Sequence, residues 1–93
     1  MKSESAMAEL KSFNFIAKIR LEKSGRGGKT VTVIADLPKQ ELFLRDLCSE
    51  LKKRCGSGGT YLTSGKEGVI EIQGDKRDLI RDLLTAKGMK TKG

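Results

Sequence analysis

The chain has 93 residues, is 37% hydrophobic and carries only four aromatics, Phe13, Phe15, Phe43 and Tyr61; that suffices for one small domain with a thin core and rules out two. No run approaches the roughly 18 apolar residues of a membrane span, and Met1-Lys2-Ser3-Glu4-Ser5 leads into no signal-like apolar stretch, so a cytoplasmic protein with two reduced thiols is expected rather than a disulfide scaffold. Nineteen Lys and Arg against twelve Asp and Glu give +7 with no histidine, which points to an anionic partner, nucleic acid or an RNA-rich particle first, with mere solubility as the bland alternative.

Residues 1 to 12 balance Lys2 and Lys11 against Glu4 and Glu9 and hold few large apolar groups, so they are expected as a flexible N-terminal tail, with residues 13 to 93 as the single domain. From Phe13, the residues Phe13, Phe15, Ala17, Ile19 and Leu21 alternate with Asn14, Ile16, Lys18, Arg20 and Glu22, the period-two pattern of a half-buried strand. Ser24 to Gly28 breaks it with three glycines in four positions, and Lys29 to Ala35 is rich in β-branched residues. Together these predict a hairpin with a cationic tip.

Pro38 is tolerated in a first helical turn, so a helix is expected from Pro38 to Cys55, with Phe43, Leu44, Leu47, Cys48, Leu51 and Cys55 as one apolar stripe and Gly56 as its stop. Thr60 to Thr63 and Val69 to Gln73 predict a second hairpin about the Ser64–Gly68 turn. Asp75 and Asp78 have the spacing of a capping box for a second helix whose buried face is Leu79, Ile80, Leu83 and Leu84, ended by Gly88. Met89 to Gly93 then forms either a short edge strand or a frayed end. The order hairpin, helix, hairpin, helix predicts an α+β two-layer sandwich, an antiparallel sheet with both helices on one face.

Enzyme chemistry has little to work with. Without histidine the commonest general base and metal ligand are missing, and no pair of Asp, Glu, Lys or Cys falls into a recognisable catalytic pattern, so neither catalysis, a cofactor nor a metal is expected. Cys48 and Cys55 share the apolar stripe and are expected as buried thiols. Gly28-Lys29-Thr30 imitates the end of a P-loop, but Lys23 stands where its first glycine belongs and a strand follows. Gly25-Arg26-Gly27-Gly28 matches the GxxG of KH domains, yet it joins strands rather than helices. The physics of that loop survives both rejections: Gly27 and Gly28 let a backbone approach phosphates, and Lys23, Arg26 and Lys29 add three cations with no acid between them.

Lys52-Lys53-Arg54 ends the first helix, where cations complement the helix dipole or else contact RNA. Lys76 and Arg77 open the second helix, where cations suit the dipole poorly and a phosphate would be welcome. Lys87, Lys90 and Lys92 add non-specific support at the C-terminal end. Tyr61 is the one aromatic placed to stack on a base, although a core or cross-strand role suits it better, so recognition by shape and phosphate contact is expected.

Three stretches, Lys23–Thr32, Glu50–Gly59 and Val69–Arg77, resemble the SUI domain, the family of eukaryotic translation initiation factor one and its YciH-like bacterial and archaeal relatives. The resemblance covers about residues 15 to 92, and its most specific element is Gln73-Gly74-Asp75-Lys76-Arg77 between a strand and a helix. It implies a translation initiation factor that binds the small ribosomal subunit near the peptidyl site and promotes fidelity of start codon or initiator tRNA selection. The implied partners are ribosomal RNA, initiator tRNA and other initiation factors. Carried over by position, the loop from Lys23 to Thr30 faces the codon–anticodon region, with Arg26 and Lys29 its leading side chains, and Lys52, Lys53 and Arg54 face ribosomal RNA. Gln73, Gly74 and Asp75 are implied as either binding or structural. A monomer without membrane contact is expected. The alternative from another class is a basic protein-interaction adaptor docking through the sheet face opposite the helices.

Overall fold

A computed structural model describes residues 15–24 and 28–93. The elements in chain order are β1 (Ile16–Ser24), β2 (Lys29–Leu37), α1 (Glu41–Cys55), β3 (Gly59–Leu62), β4 (Gly68–Gln73), α2 (Arg77–Ala86) and β5 (Lys90–Lys92). The expected tail, the start of the first strand at Phe13, and Arg26 and Gly27 at the hairpin tip lie outside the described residues.

The strands order as β3-β4-β2-β1-β5. Neighbours are antiparallel except β5, which pairs parallel with β1 through Ile16–Lys90 and Lys18–Lys92, so the sheet is mixed at one edge. The α+β class and the hairpin-helix order are those expected. Alternation places Ala17 and Ile19 of β1, Ile34 of β2, and Ile70 and Ile72 of β4 on one face, where they are buried against the apolar stripes of both helices. Phe15 packs edge-on against Phe43 of α1, ring centroids 6.0 Å apart. Most of the buried apolar side chains among the described residues thus form one core between the two layers.

Several boundaries move from their sequence-based positions. The second strand continues past Ala35 to Leu37 because β2 carries one extra residue between the pairs Ile34–Ile70 and Leu37–Gly68. Asp36 absorbs that bulge at φ 62°, a left-handed conformation that Asp tolerates better than most side chains. The bulge lets Ile34 and Leu37, three apart in a strand, both reach the core. The first helix begins at Glu41 rather than Pro38, with Gln40 at its N-cap; the Gln40 carbonyl accepts from the Leu44 amide and no side chain caps the end. Its C-terminus is as expected, Gly56 sitting at φ 63° with its amide on the Lys52 carbonyl.

The second helix begins at Arg77 and has no capping box. Asp78 instead pairs with Arg81 at 2.9 Å, and Leu79 is 41% exposed rather than part of the buried face, which is formed by Ile80 and Leu84 with Leu83 half-buried. At its far end the amides of Lys87 and Met89 both return to the Leu84 carbonyl, Gly88 turns the chain at φ 92°, and buried Met89 delivers β5 to the sheet edge.

Candidate nucleic-acid interface

The register of the sheet decides which charges meet. The pairs Ser24–Lys29 and Lys23–Thr30 close the first hairpin at one end of the sheet, and Val31–Gln73 brings the end of β4 to the same place. Alternation puts Lys23 on the helix-bearing face and Lys29 on the other, both exposed, so the hairpin root presents cations on both sides. Gly28 adopts φ 62° there with open space about its α-carbon, a backbone position accessible to a large ligand.

The turn from β4 into α2 is stitched to this root. The Gly74 amide donates to the Thr30 carbonyl at 2.8 Å, the Thr32 hydroxyl donates to the Gly74 carbonyl at 2.6 Å, and the same hydroxyl accepts from the Lys76 amide at 2.9 Å. Thr32 is the one buried polar residue among those described, fully enclosed in the sheet. Gly74 holds φ 93°, which the turn requires and a β-carbon would oppose.

The end of α1 arrives from the other layer. The Gln73 amide donates to the Gly58 carbonyl at 2.9 Å, continuing the β3–β4 ladder past the glycine break that follows α1. Gly59 lies close beneath the helix: a β-carbon there would stand 3.2 Å from Cγ of Lys52, 2.7 Å from the Glu71 carbonyl and 2.6 Å from Cδ1 of Ile72. This close approach seats the last turn of α1, with exposed Lys52, Lys53 and Arg54, beside the β4–α2 turn.

Three basic clusters remote in sequence therefore converge on one end of the molecule: Lys23 and Lys29, Lys52 to Arg54, and Lys76 with Arg77. Of these, Lys23, Lys29, Lys52, Lys53, Arg54 and Lys76 have no carboxylate partner among the described residues. Arg77 differs, because its Nε and Nη2 grip Asp75 at 3.0 and 3.2 Å. That hydrogen-bonded guanidinium holds the Asp75 carboxyl below the usual carboxylate range. A shallow depression of about 360 Å³ lies over Asp75 to Leu79, at a helix N-terminus whose cap position is a lysine and where Asp75 reaches the Arg77 amide at 3.4 Å.

The remaining candidates resolve into structural parts. Burial raises the thiol pKa of both Cys48 and Cys55, which favours inert thiols over nucleophiles, and both are free. Tyr61 packs against the core and its hydroxyl meets Glu41 Oε2 at 3.2 Å, a cross-layer role. Among the described residues no three His, Cys, Asp or Glu side chains gather as a metal site, and no helix is long and apolar enough to cross a membrane. The arrangement offers electrostatic attraction and close backbone approach. Sequence inspection names the three clusters but misses Thr32, whose signal is a hydroxyl at an inward-facing position between the core-facing Ile34 and the hairpin root.

Residues 15–90 match the family described as translation initiation factor SUI1. The chain is 53% identical over 77 residues to the protein called "Uncharacterized protein YciH" of Salmonella typhimurium, covering 83% of this chain and 68% of that one. It is 44% identical over 92 residues to an uncharacterized protein of Haemophilus influenzae, covering 99% and 83% of the two chains. It is 47% identical over 73 residues to the "Protein translation factor SUI1 homolog" of Hyperthermus butylicus, covering 78% and 66%.

Proposed function

The chain belongs to the translation initiation factor SUI1 family, and from that premise we propose that it binds the small ribosomal subunit near the peptidyl site and promotes fidelity of start codon or initiator tRNA selection. The observation that carries this reading is the convergence of the three cationic clusters on one end of a two-layer domain. Structured RNA displays phosphates and a shallow groove, and unpaired cations with exposed glycine backbone suit that surface better than they suit sequence-specific reading of bases. In this reading Lys23, Arg26, Gly27, Gly28 and Lys29 enter toward the decoding region, Lys52, Lys53 and Arg54 lie on ribosomal RNA, and Lys76 and Arg77 flank them. Discrimination follows from occupancy: the hairpin tip fills space that a wrong initiation complex also needs. The family is one of translation factors, and the chain acts here as a binding protein rather than a catalyst.

Binding to isolated small ribosomal subunits at several salt concentrations tests this, beside the double variant Arg26→Ala, Lys29→Ala. If roughly six phosphates are engaged, the log–log slope of affinity against salt is about −4 to −5, and the double variant makes it shallower by about two. Binding indifferent to salt and to both substitutions would overturn the reading in favour of a protein adaptor. Its docking surface would be the outer sheet face, where Leu62 and Ile16 are 42% and 47% exposed.

A further inference from the structure

We propose that Thr32 is a positioning residue for this RNA-binding end: its hydroxyl caps α2 from across the sheet and thereby fixes Lys76 and Arg77 beside the root of the first hairpin. The inference rests on the proposed RNA-binding role of that end, and adds to it a side chain that never touches the ligand.

The need for such a residue follows from the sequence of the helix end. A helix start leaves several amides without intrahelical partners, and Ser, Thr, Asp or Asn at the cap ordinarily satisfies one. Here the cap position is Lys76, which has no acceptor to offer, and the first helical residue is Arg77. Asp75 is the only local candidate, but it is engaged by the Arg77 side chain and reaches the Arg77 amide only at 3.4 Å. Two cations at the positive end of a dipole are also unfavourable; of the two, Arg77 is offset by Asp75, and Asp78 stands in the first turn, while Lys76 has no carboxylate partner among the described residues. The cap position itself is thus poorly supported by the local sequence.

Thr32 supplies what is missing. Its Oγ1 accepts from the Lys76 amide at 2.9 Å and donates to the Gly74 carbonyl at 2.6 Å, so one hydroxyl satisfies a donor and an acceptor on either side of Asp75, more than forty residues along the chain. Both of its bonds go to this distant turn, and Thr32 itself is fully buried, where an unmade bond is costly. The Gly74 amide on the Thr30 carbonyl adds a third tie two residues along β2. Between them these bonds fix the turn in register with Lys29, the first residue after the glycine tip.

Three substitutions separate positioning from simple packing. Thr32→Val keeps the shape and removes the hydroxyl; Thr32→Ser keeps the hydroxyl and removes the methyl. Should the valine variant fail to fold, Thr32→Ala compared with Thr32→Ser isolates the hydroxyl alone. The first readout needs no ligand: amide hydrogen exchange at Lys76 is expected to accelerate on the order of tenfold or more without the hydroxyl and to stay near wild type in Thr32→Ser, while Ile34 and Ile72 remain protected. The second is the salt slope on isolated small ribosomal subunits, expected to become shallower by about one to two without the hydroxyl and to be restored by serine. Unchanged Lys76 exchange without the hydroxyl, or faster exchange with an unchanged slope, overturns the proposal. A wild-type protein that does not bind the subunits at all overturns the functional reading instead, and the exchange experiment still decides whether Thr32 caps the helix.

Discussion

The two ends of the sheet are built from the same strands and treat charge in opposite ways. At the end where β1 turns into β2, cations from three segments stand together, and of those among the described residues only Arg77 is neutralised. At the other end, Lys18 meets Asp36 at 3.1 Å, and the neighbouring Asp36 and Glu67 carboxyls shift one another, Asp36 below and Glu67 above the usual carboxylate range. Exposed ion pairs contribute little to stability, so the difference is not one of fold strength. It lies in what each end offers a partner: cations interspersed with the Asp36 and Glu67 carboxylates on one side, and on the other three clustered cationic segments whose field an external anion would satisfy.

The largest expected effect comes from removing that field. Replacing Lys52, Lys53 and Arg54 together by Ala should weaken binding to small ribosomal subunits roughly thirtyfold near physiological salt, and make the salt slope shallower by two to three. Replacing Lys66, Lys90 and Lys92, which bring the same formal charge to the opposite end, should change affinity by less than about threefold. Equal losses in the two triple variants would mean that net charge alone, and not its placement, governs binding.

Glycines at the two ends sharpen the contrast. A β-carbon at Gly59 meets the Glu71 carbonyl at 2.7 Å, and one at Gly68 meets the Pro38 carbonyl at 2.6 Å. Neither backbone oxygen can withdraw without disturbing its segment, β4 at Glu71 and the β2–α1 connection at Pro38, so Gly59→Ala and Gly68→Ala should each destabilise by about 1–3 kcal/mol in denaturant melts. Only Gly59→Ala should also shift the salt slope, because Gly59 seats the last turn of α1. A Gly68→Ala protein that is folded yet has a weakened slope would break the division between the ends.

How much of this was legible beforehand follows the range of the interaction. Local periodicity placed β1, the apolar stripe of α1 and its stop at Gly56, since each depends on neighbours within a turn or a pleat. Helix starts were misplaced at Pro38 and Asp75 because Gln40 and Lys76 are poor caps, and at Lys76 the acceptor is Thr32, remote in sequence. The bulge at Asp36 is hidden for the same reason: Asp36 before Leu37 and Pro38 reads as the end of a strand, whereas its left-handed conformation within β2 follows from the pairing of β2 with β4. Charge marked the three basic clusters, but their meeting depends on the Val31–Gln73 register and the Gly74 turn, which no local pattern encodes. Leu79 was assigned to the core from helical spacing, yet it stands exposed at the rim of the basic end.

A smaller effect separates the paired cation from its unpaired neighbours. Asp75 is held ionised by Arg77 and cancels part of the field where a phosphate would arrive. Asp75→Asn keeps the side-chain shape and removes the charge, so subunit affinity should rise about two- to fivefold, the size of one exposed charge near a helix end. A fall in affinity would show that Asp75 orients Arg77 for binding rather than masking it.

The smallest effect belongs to the opposite end, where pH reveals what the shared hydrogen bond does. The Glu67 carboxyl is raised above its ordinary value by its hydrogen bond to Asp36 and by the charge there, while Asp36 is lowered by that same bond and then by Lys18. The two shifts act in opposite directions on stability. Asp36 contributes above its unfolded pKa and loses that contribution as pH falls through its depressed folded value; Glu67 contributes below its unfolded pKa and loses it as pH rises through its raised folded value. The bond is therefore complete only in the acidic window where Asp36 is ionised and Glu67 is protonated. Glu67→Gln cannot ionise and its amide can still donate to Asp36, so it should match wild type within that window and melt slightly higher at neutral pH, with subunit binding unchanged. Carboxyl carbon NMR titration of the wild type, read beside melts of both proteins, checks the assignment: an ordinary Glu67 titration with parallel stability profiles would show that the two carboxyls do not share a proton, leaving Lys18 as the main cause of the Asp36 shift.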